Sequence, residues 1–122
     1  MKTLTIDRDR WRRGGIRRNH THGPTYLLND EGYMCCLGFD ALACGVTPYE
    51  MRGAYGPGEV TTMSDEYRET RWRSGVVLDA MEVNDNPNLS ELERETKLIP
   101  LLKAIGGYDD VQFINGLAPA HD

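Results

Sequence analysis

The chain has 122 residues, of which 39% are hydrophobic, and a formal net charge of −5. This size fits one domain, which we place over residues 1–122 with a tail at 117–122. No apolar run approaches the ~20 residues that span a bilayer. Charge also interrupts the N-terminus too early for a signal peptide, so we expect no membrane partner and a cytoplasmic location. Three cysteines, an odd number with two adjacent, favour reduced thiols.

A short strand and a basic arm open the chain. Leu4 and Ile6 alternate with threonines and predict the strand. The arm and its loop follow over residues 8–24. Positions 1–18 hold seven basic residues against two acidic ones, a balance of +5, whereas positions 19–122 hold seven against seventeen, a balance of −10. The arm either lies on the acidic body through weak ion pairs or binds the phosphate of a nucleotide or nucleic acid. The candidate ligand-binding residues are Trp11, Arg12, Arg13, Arg17 and Arg18.

A turn and a buried helix come next. Residues 29–32 predict a hairpin, with Gly32 in the left-handed position. Residues 35–44 predict a helix of about three turns, and its single charge, Asp40, indicates that it is central and nearly surrounded. Gly38 inside this helix costs about 1 kcal/mol relative to alanine. We therefore expect another backbone to approach closely at Gly38.

Two capping boxes mark further helices. Thr47-Pro48-Tyr49-Glu50 opens a short helix, and Ser90-Glu91-Leu92-Glu93 opens one that runs to Ile105. Because Pro100 lies within this second helix, we expect a kink or a break near Ile99. The remaining segments are predicted as a loop at 53–62, a helix at 64–73, a helix at 76–83 and a strand at 111–114. This last strand is expected beside the first, in either direction. The sequence thus predicts an α+β fold in which terminal strands and a hairpin pack with three to five helices around the central one.

Cys35 is the first candidate nucleophile, and the adjacent Cys36 is the second. Cys35 stands at the predicted N-terminus of the buried helix, where the helix dipole and exposed amides would lower its pKa. His20 or His22 would supply a base, and Asn84 or Asp85 would orient it. The favoured alternative is that the cysteine packs as a small hydrophobic residue.

A metal site is the next alternative, since His20 and His22 accompany three cysteines. Cys36 and Cys44 are eight residues apart on one helix, which separates them by about 12 Å along its axis. Two thiolates on a shared tetrahedral zinc lie only ~4 Å apart. We therefore predict neither a metal nor another cofactor.

Cys35-Cys36-Leu37-Gly38 and Asn84-Asp85 form the expected structural centre. An Asn-Asp pair just beyond an apolar segment is well placed to hydrogen-bond to the N-terminus of the Cys35 helix. Together with Trp11, these motifs resemble a group of small uncharacterised proteins encoded by bacteriophages and prophages. The resemblance implies an accessory protein that acts in the cytoplasm of a bacterial host, and it implies no reaction.

Three functions follow from these patterns. The favoured one is a non-enzymatic binding protein that engages a host or defence component. The second is a phosphate binder that uses the arginine-rich arm. The third is a cysteine-dependent hydrolase or transferase that uses Cys35. The sequence leaves the oligomeric state open.

Overall fold

The computed structural model describes residues 2–13, 27–29, 32–53 and 75–116. These residues form a two-stranded sheet and four helices in a small α+β arrangement. The elements are β1 (Thr3–Asp7), α1 (Cys36–Ala43), α2 (Pro48–Met51), α3 (Gly75–Asp85), α4 (Glu91–Gly106) and β2 (Asp110–Ile114). None of the helices in these ranges is long and apolar enough to cross a membrane. The predicted helix at 64–73, most of the predicted loop at 53–62 and the tail lie outside them.

The two strands lie side by side and run in the same direction. Thr3 is opposite Asp110, and Asp7 is opposite Ile114. Leu4 and Ile6 are buried, so the alternation predicted for β1 has its apolar face turned to the core. The pairing of the first and last segments is therefore confirmed, and its direction, which the sequence left open, is parallel.

Helix α1 lies in the centre of the described structure. Cys35 is its N-cap, Cys44 its C-cap, and residues 36–41 are all buried. It contacts β1, α2 and α3, as expected for a nearly surrounded helix. Its one charged residue, Asp40, is fully buried and accepts a hydrogen bond of 2.5 Å from the hydroxyl of Tyr108.

Gly38 accommodates the close backbone approach that its position predicted. A Cβ atom on Gly38 would lie 2.1 Å from the carbonyl oxygen of Leu27 and 2.8 Å from Cβ of Met34. Any side chain would therefore push the segment at Leu27 away from α1. The cost of a helical glycine is compensated by tight packing between the two segments.

The turn predicted at residues 29–32 is present, but its flanks do not form a ladder with each other. The backbone N–H of Asn29 donates to the carbonyl of Tyr33 at 2.9 Å, and Gly32 has a φ of +91°. Beyond the turn, the described flanks make single parallel bridges with other segments, Met34 with Trp11 and Leu28 with Arg52. Beyond the hydrogen bond between Asn29 and Tyr33, the described flanks therefore pair with other segments of the chain.

Both capping boxes form as predicted. The Thr47 hydroxyl accepts from the backbone N–H of Glu50, whose carboxylate accepts from the N–H of Thr47, and Ser90 and Glu93 make the same reciprocal pair. The helix predicted at 76–83 is also present, within α3. Helix α4 continues through Pro100 to Gly106, so the prediction of a break before that proline is wrong. Proline removes only one backbone donor, and the buried leucines on either side of it hold the helix in place.

Candidate functional site

A buried asparagine joins the two sequence motifs. Oδ1 of Asn84 accepts hydrogen bonds from Nε1 of Trp11 at 2.7 Å and from the backbone N–H of Cys36 at 3.0 Å. Its Nδ2 donates to the carbonyl of Arg12 at 3.1 Å and to Oδ1 of Asp85 at 2.9 Å. The expected bond to the N-terminus of α1 is thus present, and Asn84 makes it. An amide offers two acceptor positions and two donors, so Asn84 has no capacity left to orient a catalytic base.

Cys35 lies at the N-cap of α1, but burial dominates its electrostatics. Burial raises the pKa of the Cys35 thiol to about 12, even though a hydrogen bond from the backbone of Gly38 lowers it. The nearby negative charge of Asp85 raises the pKa further. The lowered pKa expected at a helix N-terminus is therefore reversed, because desolvation outweighs the helix end. Cys35 is a neutral thiol at physiological pH.

Cys36 is equally inaccessible. Burial raises its pKa well above the ordinary value of 9.0, and its sulfur lies 3.9 Å from the carbonyl oxygen of Ala80. The predicted bases, His20 and His22, lie outside the described residues. Within the described ranges no group of three or more histidine, cysteine, aspartate or glutamate side chains is arranged to hold a metal ion. Burial thus leaves neither Cys35 nor Cys36 as an activated nucleophile.

Two arginines of the basic arm lie on the body of the protein. Nε and Nη2 of Arg8 bind both carboxylate oxygens of Glu95, at 3.0 and 2.9 Å. This hydrogen-bonded pair raises the pKa of Arg8. Nε of Arg13 contacts Glu91 at 2.7 Å, and its guanidinium lies 4.4 Å from the centre of the Trp11 ring. Trp11 is 3% exposed, so its ring is covered by the protein instead of being presented to a ligand.

Arg12 differs from Arg8 and Arg13, the two arginines of the arm that bind carboxylates. It is 4% exposed, and its Nε and Nη2 atoms have no hydrogen-bond partner within the described residues. Its backbone is held by Met34 and Asn84. Arg17 and Arg18, the other predicted ligand-binding arginines, lie outside the described ranges. Arg12 is thus the candidate from the arm whose guanidinium keeps hydrogen-bonding capacity.

Arg94 organises the connection between α3 and α4, and sequence reasoning missed it. The residue is 1% exposed. Its guanidinium donates to the carbonyls of Val83 at 3.3 Å, Asn86 at 2.5 Å and Leu89 at 3.2 Å, and it pairs with Glu91. The sequence feature that could have identified Arg94 is its position: this charged residue lies on the same helical stripe as the buried leucines of α4. A buried arginine at such a position needs several acceptors, and the carbonyls of a tight connection supply them.

An open groove of about 860 Å³ lies along this connection. Its apolar lining comes from Leu78, Met81, Val83, Pro87 and Leu89. Its charged groups are Glu82, Asp85 and Lys97. Leu78 is 64% exposed and lies beside the other apolar groups of the lining. The sequence predicts a helix at 76–83, but it did not reveal that Leu78 is exposed on that helix.

Comparison of the chain with protein-family models, curated proteins and solved structures finds no match. The resemblance to small phage proteins therefore stays a prediction.

Proposed function

We propose that this protein is a non-enzymatic binding protein whose groove between α3 and α4 receives an apolar segment of a partner protein. The observation that carries the proposal is the open groove itself, with Leu78 exposed beside four other apolar residues. Contiguous apolar surface of this kind marks interaction sites in proteins. In keeping with the phage resemblance, the partner is a host or defence component in the bacterial cytoplasm.

The charges around the groove favour a partner segment that carries basic residues. Glu82 and Asp85 contribute two carboxylates, against one ammonium group from Lys97. The chain from residue 19 onward has a balance of −10, so the surrounding field has the same sign. Complementary charge increases the rate of association and selects among partners. Lysine or arginine next to an apolar anchor is therefore the expected recognition pattern.

The wall of the groove is held in place before any partner arrives. Asn86 and Leu89 line it, and Arg94 binds the backbone carbonyls of both. Asn86 also accepts from the backbone N–H of Asn88 at 2.9 Å, which closes a local turn. A pre-ordered wall reduces the entropy lost on binding. This rigidity supports recognition at the groove.

Both alternative functions have weaker support. The thiols of Cys35 and Cys36 are buried with raised pKa values, which disfavours a cysteine-dependent hydrolase. In the arm, Arg8 and Arg13 already bind carboxylates, which leaves less positive charge for the phosphate groups of a nucleotide or nucleic acid. None of these cysteines and arginines lines the groove.

Selection of peptides from a displayed random library tests the proposal. The selected sequences should combine apolar residues with lysine or arginine. Their affinity, measured by fluorescence anisotropy, should fall roughly tenfold or more in Leu78→Asp, because an apolar contact of a leucine side chain is lost. Leu42→Asp is the matched control, since Leu42 is an exposed leucine on α1 that does not line the groove. It should leave the affinity within about twofold, since it removes no groove contact.

The same pair of variants identifies the natural partner. A host protein recovered from bacterial lysate by the wild type and Leu42→Asp, but not by Leu78→Asp, would bind at the groove. Circular dichroism should establish that both variants are folded. Failure to enrich any peptide, or equal affinities for the two variants, would rule out the groove as the binding site.

A further inference from the structure

Two arginines in the same short arm differ in what their guanidinium groups bind. In Arg8, Nε and Nη2 form one edge of the planar group, and this edge binds the two oxygens of Glu95. In Arg12, the same two atoms are buried and have no hydrogen-bond partner among the residues that the structure describes. The edge of Arg12 that is suited to a carboxylate or phosphate is therefore buried and unpaired among these residues.

Burial makes this difference significant. A guanidinium stays charged in a protein, and a buried charge without a partner is strongly unfavourable. The described chain follows this rule elsewhere: Arg8 binds Glu95, and both Arg13 and Arg94 bind Glu91. Arg12 is 4% exposed, so water does not replace a partner over most of the side chain.

The support of Arg12 is rigid. Its backbone N–H donates to the carbonyl of Met34 at 2.8 Å, and its carbonyl accepts from Nδ2 of Asn84 at 3.1 Å. Asn84 is itself fixed to the N-terminus of α1 through Cys36. An arginine on a fixed backbone loses less freedom when it binds an anion.

We propose that Arg12 is the anion-binding residue of a second site, which receives the carboxylate or phosphate group of a small ligand. Two oxygens of that group accept hydrogen bonds from Nε and Nη2, as the oxygens of Glu95 do from Arg8. The site shares no residue with the groove and does not depend on the proposed function.

Nuclear magnetic resonance of the intact wild-type protein tests this directly. The Nε–Hε signal of Arg12 would be followed while inorganic phosphate, acetate or adenosine monophosphate is added, with chloride at matched ionic strength as the reference. We expect a saturable shift of this signal. Saturation by phosphate and adenosine monophosphate identifies a phosphate site that admits a larger ligand, and saturation by phosphate alone identifies a site for the free ion. Saturation by acetate alone identifies a carboxylate site.

Two matched variants separate Arg12 from the general charge of the arm. Arg12→Lys keeps the positive charge but removes the two-atom edge, so affinity should fall roughly tenfold or more. Arg10→Lys makes the same change at an exposed arginine that contacts the carbonyl of Gly32, and should leave affinity within about twofold, since that side chain lies outside the site. If Arg12→Lys does not fold, the wild-type titration still decides. The proposal is overturned if every anion, chloride included, gives the same unsaturable shift, or if Arg10→Lys weakens binding as much as Arg12→Lys.

Discussion

Replacing Asn84 with alanine should destabilise the protein strongly, because it removes four hydrogen bonds from the centre of the fold. The indole N–H of Trp11 and the backbone N–H of Cys36 would both be left buried without an acceptor. Each orphaned donor costs about 1–3 kcal/mol, so the free energy of unfolding should fall by about 2–6 kcal/mol. A domain of this size has a total stability of about 5–15 kcal/mol, so the loss is a large fraction of it.

Urea unfolding followed by circular dichroism and tryptophan fluorescence measures this loss. Asn88→Ala is the control, because Asn88 is an exposed asparagine in the following connection, and it should change stability by less than about 0.5 kcal/mol. Asn84→Asp retains the acceptor oxygen but faces the carbonyl of Arg12 and the carboxylate of Asp85 with a second oxygen. It should therefore be destabilised near neutral pH and partly recover in mild acid. A loss below about 1 kcal/mol for Asn84→Ala, or one equal to that of Asn88→Ala, would refute the role given to this residue.

Three further outcomes follow from the buried centre. Gly38→Ala should lower stability by about 1–3 kcal/mol, because the added methyl group meets the Leu27 carbonyl. Gly75→Ala meets no atom of the described residues within 4 Å and should cost less than about 0.5 kcal/mol. Equal effects of the two substitutions in urea unfolding would contradict this. Iodoacetamide at mildly alkaline pH should alkylate the half-buried Cys44 well before Cys35 in the native protein, and mass spectrometry showing the reverse order would overturn the burial argument. The folded state retains a thiol proton on Cys35 that the unfolded chain releases above pH 9.0. The contribution of this thiol to the free energy of unfolding should therefore be fully present below pH 9.0 and decline toward pH 12. If the pH dependence of the free energy of unfolding is unchanged in Cys35→Ala, the decline belongs to other groups.

Local signals predicted the helices well. Each capping box lies within four consecutive residues, and its hydrogen bonds depend on little outside that window, so the starts at Thr47 and Ser90 are correct. The bond between the Asn-Asp pair and α1 also followed from sequence, because an amide beyond an apolar segment has few buried partners other than a helix end. Gly38 was informative for a related reason: a glycine in a buried helix has a propensity cost that close packing compensates.

What the sequence did not reveal depends on contacts between distant segments. The pairings of Arg8 with Glu95 and of Arg13 with Glu91 join residues more than seventy positions apart, and no local pattern specifies them. The direction of the sheet has the same origin, since β1 and β2 lie at opposite ends of the described chain. The pKa of Cys35 was expected to fall because the helix end is a local feature, whereas its burial is set by the whole fold.

The two proposed sites lie on either side of one rigid connection. Asn84 fixes its beginning to the arm and to α1, and Arg94 fixes the backbone of Asn86 and Leu89 from the other end. A change in the position of Arg12 would be transmitted to Asn84 through their shared hydrogen bond, and the groove begins at the adjacent Asp85. Asn84 and Arg94 are thus both held by several internal hydrogen bonds. Their physical effect is to hold two surfaces in fixed positions, which is the property that a small recognition protein requires.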